Sequence, residues 1–171
     1  STRRQWPSHR DASTRPLSVV TVMDMAIDLD AVARALRTRL RDDQVRDSPT
    51  LRNLYRHDAS NMTGRAGIVC FAESTKDVQA CVQVAADMGV PFMARGSGTG
   101  LAGGAVPPPD AIVISTTKMN KILSVDEVNR IAWVEPGVLN LDLSKQIAHL
   151  GVHFAPDPSS QQTCSIGGNV A

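Results

Sequence analysis

Apolar residues recur along this chain with two different periods, and together these periods predict a mixed α and β architecture. In residues 28–41 they fall at helical spacing with arginines on the other face, which predicts an amphipathic surface helix. Ser48 followed by Pro49 is typical of an N-cap and a first helical position, so a short helix through Leu54 is predicted. The polar stretch 55–61 is predicted to be an extended surface segment.

A βαβ unit is predicted next along the chain. Residues 67–71 and 90–94 form short apolar runs that are typical of strands. Between them, Ser74 and Asp77 have the spacing of a capping box, and Gly89 is placed to end the helix. Because a helix connects them, the two strands are expected to be parallel and adjacent in one sheet.

The remainder of the chain continues the mixed pattern. Residues 111–115 and 130–135 are predicted to be further strands of the same sheet. Apolar residues at helical spacing predict another helix that Gly151 ends, and residues 155–171 are predicted to be a loop with a second cluster of glycines.

The strongest chemical signal is a glycine-rich loop, RGSGTGLAGG, at residues 95–104. Glycine allows a positive φ and a close approach of the backbone to a ligand, so successive N–H groups can turn toward an anion such as a pyrophosphate. A surface turn without a ligand is the alternative. Arg95 is expected to pair either with a phosphate or with a nearby carboxylate, and the sequence does not choose between them.

Two common phosphate-binding motifs do not fit this loop. Gly98, Gly100 and Gly103 match G-x-G-x-x-G, but a Rossmann loop opens a helix, and the prolines at 107–109 exclude a helix of useful length here. The loop also follows the second strand of the βαβ unit rather than the first. A Walker A loop is excluded because no Gly-Lys-Ser/Thr is present.

The composition and the net charge of the chain limit the classes of partner that it is expected to bind. A formal net charge of +1 gives no electrostatic reason to expect nucleic acid, and no apolar run is long enough to span a membrane. Three widely spaced cysteines argue against a disulfide framework and favour a reducing, cytoplasmic setting.

The Arg- and Ser-rich residues 1–16 are interpreted as a disordered tail, with an organelle transit peptide as the alternative. No metal site is predicted, because the four histidines form no ligand pattern.

Three segments in this order carry a family resemblance: VPFMARGSGTGLAGGAVP, MNKILSVDEVNRIAWVEPGV and APDPSSQQTCSIGGNVA. With them the sequence resembles the FAD-binding domain of the flavoproteins typified by vanillyl-alcohol oxidase and p-cresol methylhydroxylase (PCMH). More narrowly, it is similar to the FAD subunits of bacterial glycolate oxidases and to D-lactate dehydrogenases. The resemblance implies an α+β, PCMH-type domain: a βαβ-containing first lobe, then the start of a second lobe. It divides the chain into the tail 1–16, a helical segment 17–60, and residues 61–171 as the N-terminal part of an incomplete FAD-binding domain.

The resemblance also implies the cofactor and its contacts. FAD is expected to be bound noncovalently, because relatives that attach it through a histidine in the first loop have that histidine where this chain has Thr99. On the pyrophosphate side, the implied cofactor-binding residues are Arg95, Gly96, Ser97, Gly98, Thr99, Gly100, Leu101 and Gly104. On the flavin side they are Pro156, Asp157, Cys164, Gly167, Gly168 and Asn169. Cys164 is interpreted as a small packing residue rather than a redox thiol, and Trp133 as a core residue rather than a cofactor stack.

The implied reaction is oxidation of a 2-hydroxy acid of the glycolate or D-lactate type to a 2-oxo acid. Alternatives are another flavin oxidase or dehydrogenase of the same family, and a non-catalytic flavin-binding module. Catalytic residues are expected beyond Ala171, so the isolated chain is expected to be inactive. An incomplete second lobe would expose apolar surface, which leads us to expect self-association or pairing with partner oxidase subunits.

Overall fold

A computed structural model describes residues 26–171. The predicted tail 1–16 and the start of the predicted helical segment, 17–25, lie outside the described residues. The helices are α1 (Leu29–Arg37), α2 (Pro49–Leu54), α3 (Thr75–Met88), α4 (Asn140–Ile147) and α5 (Ile166–Val170), with short 3-10 turns at Asp42–Gln44 and Ala148–Leu150. The strands are β1 (Val45–Arg46), β2 (Ala66–Phe71), β3 (Phe92–Arg95), β4 (Ala111–Ser115), β5 (Ile122–Asp126) and β6 (Ile131–Val134).

Local signals in the sequence place the first three helices. Asp28 caps α1 by accepting from the N–H of Ala31 at 3.0 Å, and Ser48 caps α2. The predicted capping box opens α3, where Ser74 and Asp77 bond reciprocally, and Gly89 ends it with a φ of 64°. The predicted ends of α2 and α3 are confirmed, whereas α1 is shorter than predicted because the chain is already extended at residue 41.

The first lobe contains a four-stranded sheet in the order β1-β2-β4-β3. β2 and β3 are parallel, as predicted, but they are not adjacent, because β4 lies between them and pairs in parallel with both. All five residues of β4 are buried, so its two edges both need strand partners, whereas β3 exposes Phe92 and Ala94 and suits a sheet edge. The predicted adjacency was therefore wrong.

Helices α1 and α3 cover one face of this sheet and form its main core. Leu36, Ile68 and Ile112 are fully buried there. Cys70 of β2 and Cys81 of α3 are also buried in it, and neither forms a disulfide. The hydrogen bond between the two thiols and burial together raise the pKa of Cys70, so that thiol stays protonated at neutral pH.

The opposite face of the sheet is covered by α2 and the residues after it. Ala66, Val69 and Val113 are buried there against Leu51 and Tyr55. This packing places the backbone after α2 beside the C-terminal end of β3, where the glycine loop begins. Residues 55–61 are consequently not extended, since they fold back with a bridge between His57 and Thr63.

The second lobe begins with a separate β-hairpin of β5 and β6, so the prediction that the strand at 130–135 extends the first sheet was wrong. Sequence reasoning missed β5, which is the partner that β6 takes. The inner face of the hairpin packs with Val138, Leu143 and Ile147 in a second core cluster. Trp133 points outward and is 66% exposed, so its predicted place in the core was also wrong.

The final segment differs from its prediction as well. Residues 166–170 form helix α5 rather than a loop, and Ile166 is buried against the second core. The N–H groups of Ile166 and Gly167 donate to the carbonyls of Val138 and Pro136 at 2.8 and 2.9 Å. The two glycines therefore lie in an ordered turn of helix. Among residues 26–171, no helix is long and apolar enough to cross a bilayer.

Candidate functional site

The glycine loop leaves the C-terminal end of β3 and runs as a series of turns to the buried Pro107. No helix follows it, as the proline block predicted. Gly98 and Gly103 have φ values of 73° and 77°, a conformation that L side chains rarely adopt. These two positions therefore require glycine for the path of the backbone itself.

The backbone N–H groups of this loop lack hydrogen-bond partners in the part of the chain that the structure describes. From Gly96 to Gly104, none of them donates to an acceptor within residues 26–171. Most backbone N–H groups of a folded protein are paired, so a continuous run without partners marks a place where donors are available to a ligand. The loop thus has the donor set that an anion requires.

Two glycines of the loop are explained by nothing within the described chain. Gly100 and Gly104 do not have a positive φ, and a Cβ added to either would meet no other atom within 4 Å. Gly96 differs from them, because a Cβ there would overlap the hydroxyl of Ser165. Glycine at positions 100 and 104 leaves open space in which a ligand could come close to the backbone.

The second glycine segment meets the first at this point. Ser165 is 2% exposed, and its Oγ is a buried polar atom without a hydrogen-bond partner among the described residues. Buried hydroxyl groups are nearly always paired, and an unpaired one costs about 1–3 kcal/mol. The orphaned hydroxyl and the free N–H groups lie side by side, which is the arrangement of an incomplete polar site.

Asn140, at the start of α4, connects the rest of the second segment. Its side chain is 1% exposed and donates to the carbonyl of Pro156 at 2.9 Å and to Oδ1 of Asn169 at 3.1 Å. The amide of Asn169 in turn donates to Sγ of Cys164 at 3.5 Å. Cys164 is 4% exposed and unpaired with another cysteine, in agreement with a packing role.

The partners of Arg95 within the described residues differ from the carboxylate that was one of its two predicted alternatives. Arg95 is 8% exposed, and its guanidinium donates to the carbonyls of Ala105 at 2.6 Å and His57 at 2.9 Å. It also lies over the ring of Tyr55, 5.1 Å from the centroid. Its partners are therefore main-chain carbonyls and an aromatic face rather than a carboxylate, and burial lowers the pKa of Arg95.

The predicted site residues thus fall into two groups that touch through Gly96 and Ser165. Residues 95–104 form the first group, and Asn140 ties Pro156, Cys164 and Asn169 into the second. Asp157 is exposed, while Gly167 packs against Pro136, where a Cβ would lie 2.7 Å from Cβ of Pro136. Sequence reasoning missed Ser165 and Asn140. Ser165 lay next to a named residue, whereas Asn140 carried no signal beyond its place at a helix start.

Comparison with known proteins assigns this site to a family. The sequence model of the FAD binding domain matches residues 66–171, a stretch that contains both glycine segments. The chain belongs to the FAD binding domain family. The α+β, PCMH-type fold predicted from the sequence is confirmed, and so is FAD as the cofactor of this domain.

Curated relatives of this FAD binding domain include glycolate oxidase subunits. The Escherichia coli (strain K12) subunit GlcD is 42% identical over 104 residues, which are 61% of this chain and 21% of the relative. The Bacillus subtilis (strain 168) GlcD is 35% identical over 125 residues, 72% of this chain and 27% of the relative. A D-lactate dehydrogenase of Anaerostipes hadrus is 37% identical over 119 residues, covering 68% and 25%. The chain therefore spans only about a quarter of the length of these relatives.

Solved structures share the fold of this FAD binding domain. A 4-ethylphenol oxidase from Gulosibacter chungangensis superimposes with a TM-score of 0.72 at 25% identity, over 82% of this chain and 28% of that one. A p-cresol methylhydroxylase structure gives a TM-score of 0.64 at 22% identity, over 71% and 25%. The described chain thus has the fold of a part of these flavoproteins.

The residues present fit the chemistry of FAD. A pyrophosphate carries acceptor oxygens only, and the loop offers N–H donors without partners. The hydroxyl of Ser165 can donate to, or accept from, a polar group that approaches Gly96. Donors and space for close approach therefore coincide at one place in the fold.

Proposed function

We propose that this chain is the FAD-binding part of a flavin-dependent oxidoreductase that oxidises a 2-hydroxy acid of the glycolate or D-lactate type to the 2-oxo acid. The observation that carries the proposal is the run of free N–H groups from Gly96 to Gly104 beside the orphaned hydroxyl of Ser165. The reaction class is supported by the curated relatives, which are named glycolate oxidase subunits and a D-lactate dehydrogenase.

The proposed contacts divide the cofactor between the two segments. Backbone N–H groups of the loop bind the pyrophosphate, and the second segment lines the flavin side. The loop residues proposed to contact FAD are Gly96, Ser97, Gly98, Thr99, Gly100, Leu101 and Gly104, and those of the second segment are Pro156, Asp157, Cys164, Gly167, Gly168 and Asn169. Attachment is noncovalent, because Thr99 has no nucleophilic ring nitrogen to form a bond to the flavin.

The described residues bind and orient the cofactor, and none of them is assigned a catalytic role. When bound, FAD would supply the two-electron chemistry, as the acceptor of the hydride that the hydroxy acid loses. The hydrogen bond between the amides of the buried Asn140 and the half-buried Asn169 holds the second segment in place. We propose that recognition of the substrate carboxylate and removal of the hydroxyl proton are performed by residues outside this chain, and that the chain alone has no turnover.

The absorbance spectrum of the protein that contains this chain tests the proposal. We expect a yellow protein that bleaches without oxygen when glycolate or D-lactate is added. Bleaching by a 4-alkylphenol and by neither acid would instead assign the phenol oxidase chemistry of the 4-ethylphenol oxidase neighbour. A protein that is colourless after incubation with excess FAD and removal of the free cofactor would refute the proposal as a whole.

The cysteines and the exposed hairpin support two further proposals, one about the cellular environment and one about a covered surface. We propose a reducing, cytoplasmic environment, which is supported by the unpaired thiols of Cys70, Cys81 and Cys164. We also propose that the exposed apolar side chains of the β5–β6 hairpin, among them Leu123, Ile131 and Trp133, are covered by another polypeptide surface. Partner oxidase subunits and a second copy of the chain are both consistent with this proposal.

A further inference from the structure

Residues 55–64, which we name the clasp, lie along the glycine loop and contact it at several points. The N–H of Ala59 donates to the carbonyl of Gly100 at 3.1 Å. Sδ of Met62 lies 2.8 Å from the position that a Cβ of Gly103 would occupy. The loop is therefore supported from behind by a segment that lies outside the matched domain, residues 66–171.

The side chain of Arg95 connects the clasp to both ends of the glycine loop. From the last position of β3, it donates to His57 and, at 3.5 Å, to the carbonyl of Tyr55, both in the clasp. It also donates to Ala105 at the far end of the loop. Gly98 packs directly on the guanidinium, where a Cβ would overlap it. One buried side chain thus joins the start, the middle and the end of the loop to the clasp.

Asp58 completes the arrangement from the clasp side. It is 6% exposed and accepts from the N–H of Ser60 at 2.8 Å, from its hydroxyl, and from the N–H of Ala105 at 3.4 Å. Ser60 holds the pKa of Asp58 below its usual value, so the carboxylate is ionised at neutral pH. Ala105 therefore receives a hydrogen bond from Arg95 and gives one to Asp58.

We propose that Arg95 and Asp58 are positioning residues that shape the glycine loop through the clasp, and that the Arg95 guanidinium does not contact the cofactor. The inference rests on the proposed FAD site and deepens it. The hydrogen bonds of Arg95 within the described residues all go to main-chain carbonyls, and its guanidinium lies over the face of Tyr55, so its donors are already engaged by the protein. The loop is therefore preorganised before FAD binds, which lowers the entropic cost of binding.

Asp58→Asn in the protein that contains this chain distinguishes positioning from direct contact by the sign of its effect. If Arg95 bound a phosphate, removal of a neighbouring negative charge would strengthen FAD binding. Positioning predicts the opposite, a rise of about tenfold in the FAD dissociation constant for a lost hydrogen bond of a charged group. Arg95→Lys keeps the charge but loses the forked geometry, and we expect it to weaken binding similarly. Arg65→Gln, which removes an exposed arginine paired with Asp110, is the matched control and should leave binding unchanged.

Amide hydrogen exchange in the FAD-free protein supplies a readout that does not depend on the cofactor. The N–H groups of Ala59 and Val106 report on the clasp and the loop, since they donate to Gly100 and Gly103. In Asp58→Asn we expect both to exchange about tenfold faster, while amides of β4 are unchanged. Unchanged exchange at Ala59 and Val106, or tighter FAD binding, would overturn the proposal. If the wild-type protein binds no FAD while Asp58→Asn shows the expected faster exchange, the proposed FAD site is wrong and the proposed role of the clasp stands.

Discussion

Replacing Gly100 by alanine separates the demands of folding from those of the cofactor. In the FAD-free protein a Cβ at this position meets no atom within 4 Å, and the φ of Gly100 is not positive. The substitution should therefore leave the fold intact and stabilise it by about 0.4–1 kcal/mol, because alanine restricts the unfolded chain. The proposed binding mode requires the backbone of this residue to approach a phosphate closely. A methyl group forced into such a contact costs about 1–3 kcal/mol, which corresponds to roughly 5- to 150-fold in the FAD dissociation constant.

Two measurements on the same preparation check this prediction. Chemical denaturation of FAD-free protein gives the stability change, and a titration followed by flavin absorbance gives the affinity. Gly89→Ala is the matched control, because Gly89 has a φ of 64°, also meets no atom within 4 Å, and ends α3 away from the loop. It should lose about 1 kcal/mol of stability and keep its FAD affinity. A Gly100→Ala protein that binds FAD like the wild type would show that no phosphate approaches this backbone closely, and one that loses stability would show that the fold itself requires glycine here.

Ser165→Ala removes an unpaired buried hydroxyl, so the FAD-free protein should gain about 1 kcal/mol of stability while FAD binding weakens; a loss of stability would show that the hydroxyl is satisfied. Acid precipitation of the FAD-loaded protein should release all flavin into the supernatant, since Thr99 cannot hold it covalently, and flavin retained in the pellet would contradict this. Because the pKa of Asp58 is lowered in the folded state, its contribution to stability should be complete above the unfolded carboxyl value of about 3.9 and be lost as pH falls through the lower folded pKa. Denaturation of wild type and Asp58→Asn between pH 6 and pH 2 should therefore converge only at the acid end, and a constant difference would contradict the assignment.

Much of the first lobe could be predicted because its signals are local. Capping residues such as Ser74 and Asp77, and the left-handed Gly89, fix the ends of α3 within a few residues of sequence. Strand order is not local, since the position of β4 between β2 and β3 depends on which strand buries both edges. The pairing of β6 with β5 rather than with the first sheet was missed for the same reason, and it is the cause of the exposure of Trp133.

The candidate site, like the fold, could be predicted only where its signals are local in the sequence. The glycine loop was visible in the sequence because its composition is unusual, and the family resemblance pointed to the second segment. The partners of Arg95 could not be predicted, because they are main-chain carbonyls of residues about 40 positions earlier in the chain and 10 positions later. The contact between Gly96 and Ser165 likewise joins positions that only the folded chain brings together.

If the N–H groups of the glycine loop are the donors to FAD, the bound cofactor must slow their exchange with solvent, and amide hydrogen exchange with and without FAD measures this. From Gly96 to Gly104 these groups have no acceptor within residues 26–171, so protection on adding FAD must come from the cofactor or from order that it induces. We predict fast exchange across this loop in the FAD-free protein and strong protection when FAD is bound, with no change in the hairpin turn at residues 127–130. Loop amides that exchange equally fast in both states, in a protein shown to hold FAD, would contradict the account.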